Sequence, residues 1–227
     1  MPDVGLAAPL GDHDLYDLEP EALRLKPYMT GDVFSGVDLG DGGEAAVAVA
    51  GHPCVIRGSG GQLARRVPCC VVGSGEPMDY ENWPSRKFHL FPLSDALGIG
   101  TGRAVKLLEW ASVPRAQLQR DRRVATLTER GVYIFLQRFT HAITRCSVPL
   151  SRFEEVCRHI LREAELEHDW VMELVDDGAG DAQIAEQVHA FQNLLDADDN
   201  RGLLRQEGGE SLLRRKIRAA IREAGNQ

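Results

Sequence analysis

Between residues 30 and 115 the chain alternates short apolar runs with glycine-rich breaks. The runs cover residues 32–37, 44–50, 54–57, 67–72, 87–91 and 103–110, and the breaks include residues 40–43 and 58–61. Glycines in such breaks allow the positive φ angles that tight hairpin turns need. Several short strands joined by such turns are typical of a small barrel or sandwich. The pattern therefore predicts a β-rich, barrel-like domain over residues 30–115.

The second half of the chain has a helical period instead. In residues 129–145 the apolar side chains recur at the spacing of one helix face, which has to be buried. Further helices are predicted over residues 151–174, from residue 181 onward and over residues 211–223. The predicted fold class is α+β, with a small β-barrel-like N-terminal domain followed by a helical region over residues 116–227.

Residues 1–29 show neither the short apolar runs of the β-rich segment nor the helical spacing of the second half. They are acidic and rich in proline and aspartate, with scattered apolar positions. Such a composition predicts a flexible acidic arm with at most a short helix at residues 20–25.

Charge divides the 227-residue chain in the same way as the apolar pattern does. The net charge is -8, yet residues 51–145 carry fourteen basic and seven acidic residues, while residues 146–200 carry three basic and fourteen acidic ones. A basic block can present a local face for a polyanion such as RNA or DNA, because charges are screened beyond about 8 Å at physiological salt. The alternative is that the acidic and basic segments pack on one another.

The sequence also bears on membranes and on the redox environment. No apolar run approaches the roughly 18 residues of a membrane-spanning helix, so no membrane association is predicted. Five cysteines are an odd number, and the N-terminus lacks a secretory pattern, so reduced thiols and a cytoplasmic location are expected.

Histidine and cysteine cluster at His52, Cys54, Cys69 and Cys70. Adjacent residues of a strand point to opposite faces, so these four cannot converge on one metal, and neither a metal nor another cofactor is predicted. A nucleophilic pair of Cys54 and His52 is a further candidate. On a strand, however, the two would lie roughly 6 to 7 Å apart at the backbone, which disfavours direct contact.

Basic side chains of the predicted helix over residues 129–145 supply the remaining candidates. Arg138, His141 and Arg145 fall on one side of that helix. They could form a phosphate-binding groove, since guanidinium groups bind phosphate in a forked manner, together with these arginines: Arg57, Arg65, Arg66, Arg120, Arg122 and Arg123. Alternatively, these arginines pair with the acidic helix over residues 151–174.

Three segments carry a family resemblance. Residues 30–34 read Thr-Gly-Asp-Val-Phe, residues 52–56 read His-Pro-Cys-Val-Ile, and residues 66–72 read Arg-Val-Pro-Cys-Cys-Val-Val. In this order they resemble the opening strands of PemK/MazF-like proteins. The resemblance covers residues 30–115. The resemblance implies an SH3-like barrel and, for many members, a toxin-antitoxin ribonuclease that uses an arginine with a serine or threonine and no metal.

Together these features predict a nucleic-acid-associated protein of bacterial defence or toxin-antitoxin type, and the resemblance implies a metal-independent ribonuclease. His52, Arg57 and His141 are the candidate catalytic residues, for proton transfer and charge stabilisation. Arg65, Arg66, Arg138 and Arg145 are the candidate nucleic-acid-binding residues. The alternative is a non-catalytic protein-protein interaction module that binds its partner through the acidic helices.

Overall fold

A computed structural model describes residues 5–40, 43–57, 63–75, 80, 83, 87–176, 178–197, 200–206 and 208–225. The chain divides into two compact units. Unit 1 comprises the described residues within Met1–Arg24, Tyr28–Arg57 and Leu63–Cys157, and unit 2 comprises those within Leu25–Pro27 and Arg158–Gln227.

Unit 1 contains the sheet and the first long helix. Its strands are β1 (Tyr16–Asp17), β2 (Val33–Asp38), β3 (Glu44–Val49), β4 (Arg66–Ser74), β5 (Leu90–Pro92), β6 (Arg103–Pro114) and β7 (Arg123–Leu127). Its helices are α1 (Asp12–Leu15), α2 (Pro20–Leu25, of which the last residue belongs to unit 2), α3 (Pro53–Ile56) and α4 (Glu129–Thr144). Helix α5 (Leu150–Asp176) begins in unit 1 and continues in unit 2.

The seven strands form one antiparallel sheet in the order β1-β7-β2-β3-β4-β6-β5. The α+β class is therefore confirmed, but the predicted barrel is wrong because the sheet is not closed. Its outer strands, β1 and β5, have two and three residues and pair only with β7 and β6. The Tyr16 hydroxyl donates a hydrogen bond to the Pro92 carbonyl, so a side chain connects the two edge strands, which do not pair with each other among the described residues.

The sheet is covered on both faces around β4. Cys69 packs in a core cluster, while the Cys70 thiol faces the Leu107 carbonyl. Both side chains are buried, although they are sequence neighbours on a strand. Burial raises the pKa of each thiol to about 12, with a further increase for Cys69 from the charge of Cys70. On the α4 side, Phe135 and Phe139 contact Phe91 and Trp110 of the sheet.

The N-terminal segment differs from the predicted flexible arm. Strand β1 pairs with β7, and Leu15 and Met29 are buried in unit 1. The Asp12 carboxylate accepts hydrogen bonds from the hydroxyls of Tyr80 and Ser94. Asp12, one of the acidic residues on which the prediction of a flexible arm rested, therefore connects the N-terminal segment to the rest of unit 1.

The predicted domain boundary at residue 115 also differs from the structure. Strand β7 and helix α4 both lie beyond that boundary, and both belong to unit 1. At Gly131, helix α4 closely approaches the backbone of Leu15. A Cβ atom at this position would lie 3.0 Å from the Leu15 carbonyl carbon and nearer still to its oxygen.

Replacing Gly131 with alanine is expected to lower the free energy of unfolding by about 2 kcal/mol, because backbone must move to make room. Alanine is the better helix former by about 1 kcal/mol, so helix propensity alone predicts the opposite sign. Urea unfolding measures the change. Gly180→Ala is the control: that glycine has open space around it and a negative φ, and a change within about 1 kcal/mol is expected. A stabilised Gly131→Ala variant would contradict the close approach.

Unit 2 is helical. Besides most of α5 it contains α6 (Asp181–Asp196), α7 (Asn200–Leu203) and α8 (Gly209–Gly225). An apolar cluster forms its core from these buried side chains: Leu166, Trp170, Phe191, Leu195, Leu204, Leu213 and Ile217. In the described part of the chain, no helix combines the length and the apolar character that crossing a bilayer requires.

Candidate nucleic-acid interface

A bulge in the β4–β6 ladder borders a concavity of unit 1. Cys70 lies opposite Trp110, but the next residue, Val71, lies opposite Lys106. Residues 107–109 are therefore extra on β6 and fall outside the register with β4. Bulges bend a strand and redirect its side chains, and they are frequent beside functional sites.

The bulge borders a groove of about 550 Å³, which we call the bulge groove. It is lined by the end of β4, the start of β5 and the bulged part of β6, with these residues: Ser74, Gly75, Lys87, His89, Leu90, Lys106, Leu108 and Glu109. Its volume lies within the range of small-ligand sites.

Among the described residues that line the bulge groove, two are lysines and one is a glutamate. Lys87 and Lys106 are cationic, and His89 adds an imidazole to the lining. Glu109 is the acidic lining residue, and its carboxylate lies 3.0 Å from the Lys106 Nζ atom. Both partners of this ion pair are partly exposed, so we expect it to compete weakly with an incoming phosphate.

Arg145 adds a further cation next to this lining. Its guanidinium lies 3.8 Å from the ring centre of Phe88, the residue between Lys87 and His89. Arg145 follows the last residue of α4 and has φ 62°, which closes the helix with a hydrogen bond from its own N–H to the His141 carbonyl. The end of α4 thereby places a guanidinium beside the segment that lines the groove.

Trp110 supplies an exposed aromatic surface at the bulge. Its indole Nε1 donates to the Leu107 carbonyl at 2.6 Å, and its ring lies 5.5 Å from that of Phe139. The side chain is nevertheless 57% exposed, whereas Trp83 and Trp170 are 4% and 2% exposed. Of the chain's three tryptophans, Trp110 is thus the one that a base could reach.

Arg138, predicted to bind nucleic acid, lies in the core. It is 1% exposed, with its guanidinium 3.9 Å from the Trp83 ring and hydrogen-bonded to the carbonyls of Ala7 and Trp83. Burial lowers the pKa of Arg138 to about 10. A side chain so enclosed cannot also contact a phosphate at the surface.

The other arginines of the predicted groove are placed differently. Arg65 and Arg66 are exposed, and Arg66 donates to the Ser112 hydroxyl at 2.9 Å and to the Ser112 carbonyl. Arg57 is largely buried at the end of α3. Arg145 therefore lies beside the bulge groove, whereas Arg57 and Arg138 are interior residues.

The two candidate catalytic histidines have separate surroundings. His141 is buried, with its ring edge-on to Phe88 and its Nδ1 atom 3.4 Å from the Ser147 hydroxyl. His52 contacts two thiols, those of Cys54 and Cys157. The expectation that His52 and Cys54 lie too far apart for contact is wrong, because residues 53–56 form a helical turn and not a strand.

Sequence reasoning missed Lys87, His89 and Lys106 as members of a site. One signal was present: the chain has only four lysines, and two of them line the bulge groove. The offset of the β4–β6 register, which brings these residues together, has no comparable signature in the sequence. Among the described residues, no group of three or more His, Cys, Asp or Glu side chains could hold a metal ion.

Comparisons of the chain with protein-family models, curated proteins and solved structures gave no match. The resemblance to PemK/MazF-like proteins stays a prediction.

Proposed function

We propose that unit 1 binds single-stranded nucleic acid along the bulge groove. The observation that carries the proposal is the combination of Lys87, Lys106 and Arg145 with the exposed indole of Trp110. Basic side chains follow the phosphate backbone, and an exposed aromatic ring can stack on a base that has no pairing partner. Stacking of this kind favours a single strand over a duplex.

The surroundings of the arginines support an external anion. In unit 2, Arg201 and Arg214 form ion pairs with carboxylates of the same unit. In unit 1, Arg66 and Arg145 have no carboxylate partner within the described ranges; Arg66 contacts a serine and Arg145 an aromatic ring. Because neither charge is paired with a carboxylate in the part of the chain that the structure describes, we expect that a polyanion can compensate it.

We propose binding without cleavage by the predicted histidines. His141 is largely buried against Phe88, and both ring nitrogens of His52 face sulfur atoms. A general acid or base has to reach the proton that it transfers, directly or through one water. Neither ring is placed at the lining of the bulge groove.

Removing the two groove lysines is expected to weaken binding of a fluorescent RNA of about 12 nucleotides at least tenfold. With each phosphate contact that is lost, binding releases fewer counterions from the RNA, and the affinity falls. The variant is Lys87→Gln/Lys106→Gln, and anisotropy at low salt measures the affinity. Arg162→Gln is the matched control, because it removes a cation that is paired with Glu210 in unit 2.

Tryptophan fluorescence shows whether the RNA binds next to Trp110. Bound RNA is expected to quench the emission of the wild-type protein, and Trp110→Phe is expected to abolish this change while most of the affinity remains. Equal affinities for the wild type and the double-lysine variant would contradict the proposal.

A protein partner is the second candidate, and exposed apolar side chains favour it. Leu108 and Ile143 are exposed, as is Trp110. Exposed apolar side chains that form a contiguous patch are typical of sites that another protein covers. Absence of RNA and DNA binding at low salt would favour this candidate over the first.

A further inference from the structure

One imidazole lies between two thiols in unit 1. His52 precedes α3, and its Nδ1 atom is 2.9 Å from the Cys54 Sγ atom. Its Nε2 atom is 3.2 Å from the Sγ atom of Cys157, which lies on α5 and is 105 residues away in the chain. Cys54 is exposed, whereas Cys157 is buried.

The local backbone decides which nitrogen carries the proton. His52 is the N-cap of α3, and the backbone N–H of Cys54 donates to Nδ1 at 3.3 Å. An N–H group can only donate, so Nδ1 is an acceptor and the neutral ring carries its proton on Nε2. The Nδ1 lone pair therefore also faces the Cys54 thiol, and Nε2–H points to the Cys157 sulfur.

Cys157 is suited to hold the ring and not to react. Burial raises its pKa to about 11, with a smaller increase from the charge of Cys54, so it remains a protonated thiol at neutral pH. A neutral sulfur can accept the Nε2–H bond without taking the proton. A nucleophile, a base within hydrogen-bond reach and a third group that orients the base together form the arrangement of an activated nucleophile.

We propose that Cys54 is a reactive thiol, deprotonated by His52, that undergoes exchange with small disulfides. The Cys54 Sγ–H proton passes to Nδ1 of His52, and the resulting thiolate attacks one sulfur of the disulfide. A new bond forms between Cys54 and that sulfur, the disulfide bond breaks, and the departing thiolate takes the proton from the His52 ring. The product is a mixed disulfide on Cys54 and one free small thiol, with no net change in electrons.

The protein contains its own control for this reactivity. Cys146 is also exposed, but its side chain has no imidazole partner within the described ranges. Cys69 and Cys70 are buried, so their labelling reports unfolding. All four sites can be followed in one sample by peptide mass spectrometry.

The test compares the rates at which cystamine, a small symmetric disulfide, modifies Cys54 and Cys146 in the full chain near neutral pH. Cys54 is expected to react at least about tenfold faster than Cys146, because His52 accepts its proton. In His52→Asn the ratio is expected to fall to about one. Asparagine still caps the helix but cannot take the proton.

A second pair of variants tests the positioning role of Cys157. Cys157→Ser keeps an acceptor for Nε2–H and is expected to retain the rate ratio, whereas Cys157→Ala is expected to lower it. Equal rates for Cys54 and Cys146 in the wild type, or an unchanged ratio in His52→Asn with Cys69 and Cys70 still protected, would overturn the proposal. Neither outcome depends on nucleic-acid binding, since these residues do not line the bulge groove.

Discussion

Replacing Asp32 with alanine is expected to lower the free energy of unfolding by about 3 to 5 kcal/mol, because it leaves a buried guanidinium without its counter-charge. The side chains of Asp32 and Arg123 are both 0% exposed, and their nearest charged atoms are 3.0 Å apart. Asp32 also accepts hydrogen bonds from the Thr126 hydroxyl at 2.7 Å and from the Met29 N–H at 3.0 Å. The substitution therefore removes the shared acceptor of three donors.

Urea unfolding of the Asp32→Ala variant measures this loss, and Glu155→Ala is the matched control. Glu155 pairs with Arg152 at 2.7 Å, but both side chains are largely exposed. An exposed pair contributes at most about 1 kcal/mol, so the control is expected to stay near the wild type. Similar decreases in the free energy of unfolding of the two variants would show that the buried pair stabilises the fold no more than the exposed pair does.

Raising the pH from about 8 to about 10 is expected to cost roughly 3 kcal/mol of stability through Cys69 and Cys70. Burial raises the pKa of each thiol to about 12 in the folded protein. The folded state therefore keeps two protons that the unfolded chain releases near its ordinary thiol pKa. This contribution to stability is complete below the unfolded pKa and is lost as the pH rises toward the folded value.

Urea unfolding under reducing conditions across this pH range checks the sign and the size. Cys69→Ala/Cys70→Ala is expected to be less stable at every pH, but its stability should fall less steeply with pH. Tyr16 and Cys157 retain part of the slope, because burial also raises their pKa values. Cys146→Ala, at an exposed position, should keep the wild-type slope. Parallel curves for the wild type and the double variant would contradict burial of the two thiols.

The periodic parts of the fold were predictable from the sequence. The helical stripe over residues 129–145 corresponds to α4 at Glu129–Thr144, because an amphipathic face has to be buried. The two residues of β1 were not predictable, since Tyr16–Asp17 is too short to show an alternation. Because β1 could not be predicted, the acidic composition of the N-terminal segment suggested a flexible arm.

The candidate sites depended on long-range geometry that local patterns do not encode. The bulge groove lies where the β4–β6 register shifts after Cys70, and no local sequence pattern marks that shift. Arg138 is a residue that the sequence pattern wrongly predicted to lie at the surface. Its spacing placed it with His141 and Arg145, but Trp83 and Ala7 enclose it.

His52 is a case in which the sequence held a usable signal. Pro53 is favourable at the first position of a helix, where its missing N–H costs nothing, so the segment could have been interpreted as a helix start. That interpretation brings His52 and Cys54 together. The contact with Cys157, by contrast, needed the structure, because nothing local relates α3 to α5.

The most direct test of the proposed function is the salt dependence of RNA binding. If Lys87, Lys106 and Arg145 contact three phosphates, a plot of log affinity against log salt should have a slope of about -2, since each contact on a single strand contributes about -0.7. Lys87→Gln/Lys106→Gln should reduce the slope to about -0.7, while Arg162→Gln should leave it unchanged. An equal slope in the double-lysine variant, or no binding by the wild type at low salt, would contradict the account.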